Sequence, residues 1–191
     1  FQRYHFPGQL ILKREFNILW LTGMSGSGKS TLAEHIKDTY QNKGYNVRIV
    51  DGDDIRDRDR ERLGFGRKDV EVNNIRIAKL CLKLKDRGFD LILVPVISPY
   101  EEIRNKVRAL LEPNLHLVYV KSDIDSLKKR DTKGLYLAAD NGVINDLIGY
   151  SDINPYDEPH NAEIVVDTSI GVSLEASKSR ILNYIKDQVC V

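Results

Sequence analysis

The chain has 191 residues, and its 29 basic and 28 acidic side chains leave a net charge of +1. This length fits one domain that can bury a substantial core. The balanced charge excludes the overall basic field that holds nucleic acid or a membrane surface, so any anion binding must be local. No apolar run approaches the roughly 20 residues of a membrane span. We therefore expect neither a nucleic-acid nor a membrane partner.

The two cysteines, Cys81 and Cys190, lie far apart in the sequence and lack the spacing of metal ligands. This usage is typical of a reducing compartment, where thiols stay unpaired. The sequence shows no signal-peptide pattern either. We expect a cytoplasmic protein, with Cys81 packed on the apolar side of a helix.

Apolar runs and helical periodicities alternate along the chain. Residues 1–15 are expected to form an N-terminal extension, and residues 16–191 a single domain. In chain order the patterns predict a strand at 16–22, a helix at 31–40, a strand at 45–50, a helix at 72–87 with Ile75, Ala78, Cys81 and Leu82 on its apolar face, a strand at 89–97, a helix at 100–111, a strand at 116–120, a helix at 123–130 capped by Ser122, a strand at 164–168 and a helix at 174–186. Such alternation predicts a parallel sheet with helices on both faces. Residues 131–161 lack a clear period and indicate a long functional loop or lid.

Residues 23–30 read Gly-Met-Ser-Gly-Ser-Gly-Lys-Ser and match the phosphate-loop pattern G-x-x-x-x-G-K-[ST] between a strand and a helix. Glycines let successive backbone N–H groups point into one concavity at a helix N-terminus, where phosphate fits. Lys29 would bring its charge to the outer phosphates, and the Ser30 hydroxyl is the usual protein ligand of Mg²⁺. The alternative is an accidental match in a Gly/Ser-rich turn. The residues predicted to bind a nucleoside triphosphate are Gly23, Ser25, Gly26, Ser27, Gly28, Lys29, Ser30 and Thr31.

Polar residues follow several of the predicted strands. Asp51 and Asp53 come after the second strand, and Ser98 and Pro99 come after the third. Ligands of such sheets bind beyond the carboxyl ends of the strands. We expect these residues and the start of the lid to meet the phosphate loop at one rim.

Eight segments of the chain occur in the order and approximate spacing of the adenylyl-sulfate (APS) kinases. They comprise residues 23–31, 51–56, 63–65, 74–76, 97–100 (Ile-Ser-Pro-Tyr), 130–136 (ending Lys-Gly-Leu-Tyr), 149 and 155–159. The chain therefore resembles this family over roughly residues 17–168. The resemblance implies a P-loop NTPase three-layer α/β sandwich with a mobile lid at about 131–161, a homodimer, and MgATP-dependent phosphorylation of the ribose 3′-hydroxyl of adenylyl sulfate.

The resemblance also implies catalytic roles. Asp53 would accept the hydroxyl proton, and Asp51 would help Ser30 to hold Mg²⁺. Lys29 and Arg130 would stabilise the transferring phosphoryl group, with Arg130 closing over ATP from the start of the lid. The alternatives are an Asx-type turn for the two aspartates and a partner of the helix dipole for Arg130.

A second set of matched positions implies an acceptor site. Its predicted members are Asp51, Arg56, Phe65, Asn74, Ile97, Ser98, Lys133 and Leu147. Arg56 and Asn74 would hold the acceptor nucleotide, and Phe65 would stack on its base. Phe65 could instead belong to the core, and Ser98, which is phosphorylated in some relatives, could simply shape a turn.

The departures from the family cluster on this acceptor side. Val70 or Glu71 stands where the family has an arginine, so that contact is missing or has moved to Arg67. Val96 and Leu147 replace aromatic residues, whereas Glu101 and Asp140 replace basic ones. Three hypotheses stay open: adenylyl sulfate as acceptor, another nucleotide-linked acceptor such as the cytidine diphosphoramidate of capsule biosynthesis, or a non-catalytic ATP-binding regulatory domain.

Overall fold

The structure is a computed structural model that describes residues 14–52, 55, 63–64 and 66–189. Its strands and helices alternate. They are β1 (Asn17–Thr22), α1 (Lys29–Gln41), β2 (Val47–Ile49), α2 (Arg67–Lys85), β3 (Leu91–Pro95), α3 (Glu101–Leu111), β4 (Leu115–Lys121), α4 (Ile124–Arg130), α5 (Leu135–Asp140), β5 (Ile164–Asp167) and α6 (Leu174–Gln188). All the strands and helices predicted from the sequence are present. The helix α5 was not predicted, because six residues are too few to show a clear apolar period.

The strands form one sheet in the order β2-β3-β1-β4-β5, with every neighbouring pair parallel. The central strand β1 is buried along its whole length. Leu19 and Leu21 face α1 and α6, whereas Ile18 and Trp20 face α2 and α3. Because side chains alternate along a strand, one continuous apolar run covers both faces of the sheet. The predicted three-layer sandwich is confirmed.

Helix α2 buries most of its predicted apolar face. Ala78 and Cys81 are fully buried, and desolvation raises the pKa of the Cys81 thiol to about 12. The packed thiol is therefore confirmed, although Cys190 lies outside the described residues. Leu82 was wrongly placed on this face and is 39% exposed, because it follows Cys81 by 100° around the helix; Leu84 is buried instead.

The N-cap of α4 is Asp123 rather than Ser122. The Asp123 carboxylate accepts a hydrogen bond from the backbone N–H of Ser126 at 2.8 Å, as an N-cap side chain does. Hydrogen bonds from Ser126 lower the pKa of Asp123 to about 2. The Ser122 hydroxyl instead accepts a bond from Arg130 at the other end of the same helix.

In the part of the chain that the structure describes, no helix combines the length and the apolar character needed to cross a membrane.

Candidate active site

The phosphate loop joins the end of β1 to the start of α1. A side chain at position 23 would place its Cβ 2.4 Å from the carbonyl oxygen of Val120, so only glycine fits there. Gly28, with φ +91°, occupies the left-handed region immediately before α1. The loop therefore approaches the neighbouring strand closely and then opens into a helix N-terminus, which is a geometry suited to phosphate.

The ammonium group of Lys29 lies inside this loop. Its Nζ donates to the carbonyl oxygens of Gly23 at 2.9 Å and Met24 at 2.7 Å. The side chains of Ser30 and Thr31 are exposed on the first turn of α1. A cation and exposed hydroxyl groups thus share one helix N-terminus, as the binding of an anionic phosphate chain requires.

The donor set at this rim suits Mg²⁺. Ser30 offers a hydroxyl oxygen on α1, and Asp51 offers a half-buried carboxylate just after β2. Mg²⁺ prefers oxygen ligands and needs few from the protein, since it keeps waters and phosphate oxygens. Across residues 14–52, 55, 63–64 and 66–189 no cluster of three or more His, Cys, Asp or Glu side chains could hold a metal by itself. The residues therefore fit a metal that arrives with a nucleotide.

The segment after β3 lies directly beside the phosphate loop. The Thr22 hydroxyl donates to the carbonyl oxygen of Ile97 at 2.6 Å, and the Gly23 backbone N–H reaches the same oxygen at 3.4 Å. Ser98 follows with φ +44°, a left-handed conformation that is unusual outside glycine, and is 1% exposed. The structure thus brings two predicted acceptor residues, Ile97 and Ser98, to the edge of the predicted ATP site.

Arg130 is held at the same rim through Thr168. Its Nη2 donates to the Ser122 hydroxyl at 2.6 Å and to the Thr168 carbonyl at 2.8 Å, while its Nε donates to the Ser126 carbonyl at 3.2 Å. The Thr168 hydroxyl donates in turn to the carbonyl of Ser27 in the phosphate loop at 2.9 Å. Arg130 therefore bonds to its own helix, as a dipole partner does, and is also linked to the phosphate loop.

The predicted lid is folded against the phosphate loop. The Tyr136 hydroxyl donates to the carbonyl of Ser25 at 2.8 Å, and desolvation raises the pKa of Tyr136 to about 12. Leu147 packs with Tyr136 in a small apolar cluster that Met24 also contacts. A Cβ at Gly149 would lie 3.1 Å from atoms of Met24. The lid and the loop are thus in direct contact, while the mobility of the lid stays a prediction.

The structure describes only some of the remaining predicted catalytic and acceptor residues. Asp53, Arg56 and Phe65 lie outside the described residues. Asn74 is buried and donates through Nδ2 to the Val70 carbonyl at 2.7 Å; its Oδ1 has no hydrogen-bond partner within the described ranges. Lys133 is exposed at the start of the lid. Their roles toward an acceptor stay predictions.

The positions that depart from the family are engaged within the protein. Val70 is buried, and Glu71 pairs with Lys106 at 2.8 Å. Arg67 donates to Glu102 at 3.0 Å, and its guanidinium lies 4.6 Å from the ring centroid of Tyr100. That Arg67 replaces the missing arginine stays a prediction. Its side chain already contacts Glu102 and Tyr100.

Several residues at this rim were not singled out by sequence. Thr22 ends β1 and Thr168 directly follows β5, and a threonine is unremarkable at either place. Tyr136 and Tyr156 belong to matched segments, which is a signal that could have drawn attention to them. Arg104 gave no signal, because an arginine on an amphipathic helix is ordinarily solvated.

The fold and the site define a P-loop nucleotide-binding protein of the phosphotransferase type. A family model described as adenylylsulphate kinase matches residues 15–167, and the chain belongs to this family. Two relatives named adenylyl-sulfate kinase are those of Bacillus licheniformis, 38% identical over 93% of each chain, and Bacillus pumilus, 40% identical over 90% of this chain and 85% of the relative. The structure of the Mycobacterium tuberculosis APS kinase CysC in complex with AMPPNP and APS superposes with a TM-score of 0.77 at 30% identity, covering 91% of this chain and 99% of that one.

Proposed function

We propose that this chain is an adenylyl-sulfate kinase, which transfers the γ-phosphoryl group of ATP to the ribose 3′-hydroxyl of adenylyl sulfate. The observation that carries the proposal is the direct contact between the phosphate loop and the Ile-Ser-Pro-Tyr segment, through the bonds of Thr22 and Gly23 to the Ile97 carbonyl. This contact joins the general nucleotide-binding feature to the segment that is specific to the family. The names of the similar proteins and the bound AMPPNP and APS of the mycobacterial kinase support the same activity.

The proposed reaction is a direct phosphoryl transfer. The 3′-oxygen of the acceptor bonds to the γ-phosphorus as the bond between that phosphorus and the β,γ-bridging oxygen breaks. Asp53 takes the hydroxyl proton, and the products are ADP and 3′-phosphoadenylyl sulfate. The reaction therefore needs a carboxylate at position 53 and an acceptor ribose facing the phosphate loop.

The other residues serve alignment and charge. Lys29 and the backbone N–H groups of the loop hold the outer phosphates, and Arg130 adds positive charge as the lid closes. Ser30 and Asp51 would hold Mg²⁺, which would supply positive charge to neutralise the transferring group. These roles rest on residue type and position at the rim.

The test is turnover by the purified protein with MgATP and adenylyl sulfate, following ADP by a coupled assay and the product by mass. We expect stoichiometric ADP and 3′-phosphoadenylyl sulfate. A higher kcat/KM for a cytidylyl acceptor would identify the alternative kinase. Absence of any phosphorylated product, with ATP binding intact, would identify a non-catalytic ATP-binding domain.

The proposal includes a homodimer in the cytoplasm. The homodimer rests on family resemblance, and the location rests on the well-separated cysteines. Light scattering coupled to size-exclusion chromatography checks the assembly, because a dimer doubles the 21.8 kDa mass of the chain.

A further inference from the structure

Arg104 is a buried cation on α3, close to the predicted acceptor residues. It is 2% exposed, although arginine is almost never fully buried unless it is paired. Its Nη1 donates to the carbonyl of Ser98 at 2.7 Å, and its Nη2 donates to the carbonyl of Asp157 at 2.6 Å. Its Nε and Nη2 also donate to the carboxylate of Glu101. One guanidinium group therefore joins three separate points of the chain.

Two of these points belong to segments that border the site. Ser98 lies in the left-handed turn after β3, and Asp157 lies in the final part of the predicted lid. The segments also bond directly, since the Asp157 N–H donates to the Pro99 carbonyl at 2.8 Å and the Glu101 N–H donates to the Asp157 carboxylate at 3.1 Å. The lid is thus tied to the acceptor-side turn around a central cation.

The same cation is connected to the phosphate loop through Tyr156. The Arg104 guanidinium lies 5.6 Å from the ring centroid of Tyr156, and the Tyr156 hydroxyl lies 2.8 Å from the Thr22 hydroxyl at the end of β1. Thr22 in turn bonds to the carbonyls of Ile97 and, at 3.2 Å, Ser98. Rotation of the turn away from the loop would break bonds on both sides.

We propose that Arg104, balanced by the charge of Glu101, is a positioning residue that sets the residues 97–99 turn and the residues 155–159 segment for acceptor binding. The inference rests on the proposed function and deepens it. Arg104 is not proposed to contact the transferring group. It acts through the backbone of Ser98, which must stay in an unfavoured conformation to hold Ile97 against the phosphate loop.

The contacts of Arg104 explain why an acidic residue at position 101 suits this chain. Glu101 departs from the family, which usually has a basic residue at this position. In this chain its carboxylate supplies the counter-charge that a buried guanidinium needs. A basic residue at position 101 would put two cations together unless its side chain turned outward. Glu101 therefore helps to hold the residues 97–99 turn, because it balances the charge of the arginine that bonds to this turn.

The fork shape of the guanidinium is essential to this role. Its donors point in several fixed directions, so it can bond a carboxylate and two carbonyls from different segments at once. A lysine at position 104 would keep the charge but would have one nitrogen to share among these acceptors. Arg104→Lys is thus the substitution that separates positioning from charge.

The test is steady-state kinetics of Arg104→Lys, Arg104→Gln and Glu101→Gln with MgATP and adenylyl sulfate. We expect Arg104→Lys to raise the acceptor KM by at least about tenfold, with kcat and the ATP KM within about twofold of the original. Arg104→Gln should raise the acceptor KM more than Arg104→Lys does, and Glu101→Gln should raise it less than Arg104→Lys does. A purely structural role would lower the folded fraction and so the apparent kcat, without changing the acceptor KM.

Arg108→Gln is the matched control. Arg108 lies one turn further along α3, donates to the Asn161 carbonyl at 2.8 Å and pairs with Glu163 at 2.6 Å. Its loss should leave the acceptor KM unchanged. An acceptor KM that stays within about twofold in Arg104→Lys, or rises equally in Arg108→Gln, would overturn the inference.

A second measurement does not depend on turnover. Hydrogen exchange of the unliganded protein should show faster exchange at the amides of Glu101 and Asp157 in Arg104→Lys, with the amides of α1 unchanged. If the original protein does not phosphorylate adenylyl sulfate, the proposed function is wrong. The exchange measurement still tests whether Arg104 holds the two segments. Unchanged exchange at both amides would reject the positioning role in either case.

Discussion

The predicted donor and acceptor sides of this site are built in different ways. The predicted donor side consists mainly of one continuous stretch, residues 23–31, whose geometry follows from its glycines and from the helix that it begins, and Arg130 is its one predicted member from the lid. The predicted acceptor side draws on segments far apart in the chain, after β2, after β3 and within the predicted lid, and side-chain bonds of Tyr100 and Arg104 join the segment after β3 to the lid. A motif can specify the first arrangement, whereas the second depends on tertiary packing.

This difference explains where the chain departs from its family. The donor side tolerates little change, because a Cβ at Gly23 would collide with the Val120 carbonyl and Lys29 bonds to the loop itself. On the predicted acceptor side, Glu101, which departs from the family, pairs with the buried Arg104. Substitutions on the two sides should therefore affect different kinetic constants.

The largest expected effect is that of Asp53→Asn. An amide cannot accept the hydroxyl proton, so kcat should fall by about 10²–10⁴. The affinity for ATP should stay nearly unchanged, because Asp53 is proposed to act on the proton of the acceptor hydroxyl. Stopped-assay turnover and equilibrium binding of a fluorescent ATP analogue measure the two quantities. Unchanged turnover would remove Asp53 from the catalytic role.

Lys29→Met tests the donor side. The substitution keeps a long apolar side chain and removes the charge, so kcat/KM should fall by about 10²–10³, as for loss of one prearranged electrostatic donor. The affinity for adenylyl sulfate, measured by calorimetry without ATP, should be unchanged. A parallel loss of acceptor affinity would contradict the separation of the two sides.

The sequence was most informative where physics acts locally. The apolar run of β1 and the phosphate loop were predicted correctly, since strand composition and glycine backbone freedom are properties of neighbouring residues. The burial of Arg104 could not be predicted, because it depends on the packing of α3 against residues 155–159. The Asp123 cap was missed for a related reason: both Ser122 and Asp123 are good caps, and the chain path selects between them.

Tyr136→Phe tests the contact between the lid and the phosphate loop. It removes the hydroxyl that donates to the Ser25 carbonyl and changes little else. Loss of one such bond should raise the ATP KM by about fivefold, with the acceptor KM unchanged. Tyr184→Phe is the matched control, because its hydroxyl lies 2.8 Å from the His116 ring, at the start of β4 and away from the rim. An equal effect in both variants would assign the change to general stability.

The smallest expected effect is that of Asp140→Asn, at the position where the family has a basic residue. The Asp140 carboxylate pairs with Lys128 at 2.6 Å and accepts a bond from the Tyr150 hydroxyl, and these bonds, that of Lys128 first, lower its pKa. Both charged partners are more than a third exposed, so the pair contributes little and is screened by salt.

The ATP KM of Asp140→Asn should therefore rise by at most about twofold at low ionic strength and match the original at high ionic strength. Glu175→Gln, which breaks a surface pair with Lys178 on α6, is the control and should leave the ATP KM unchanged at any salt concentration. Because the folded-state pKa of Asp140 is lowered, the contact is present above the ordinary Asp range and is lost as the pH falls through the lowered value. A large, salt-independent effect would show that the departure at position 140 belongs to the donor site rather than to the lid surface.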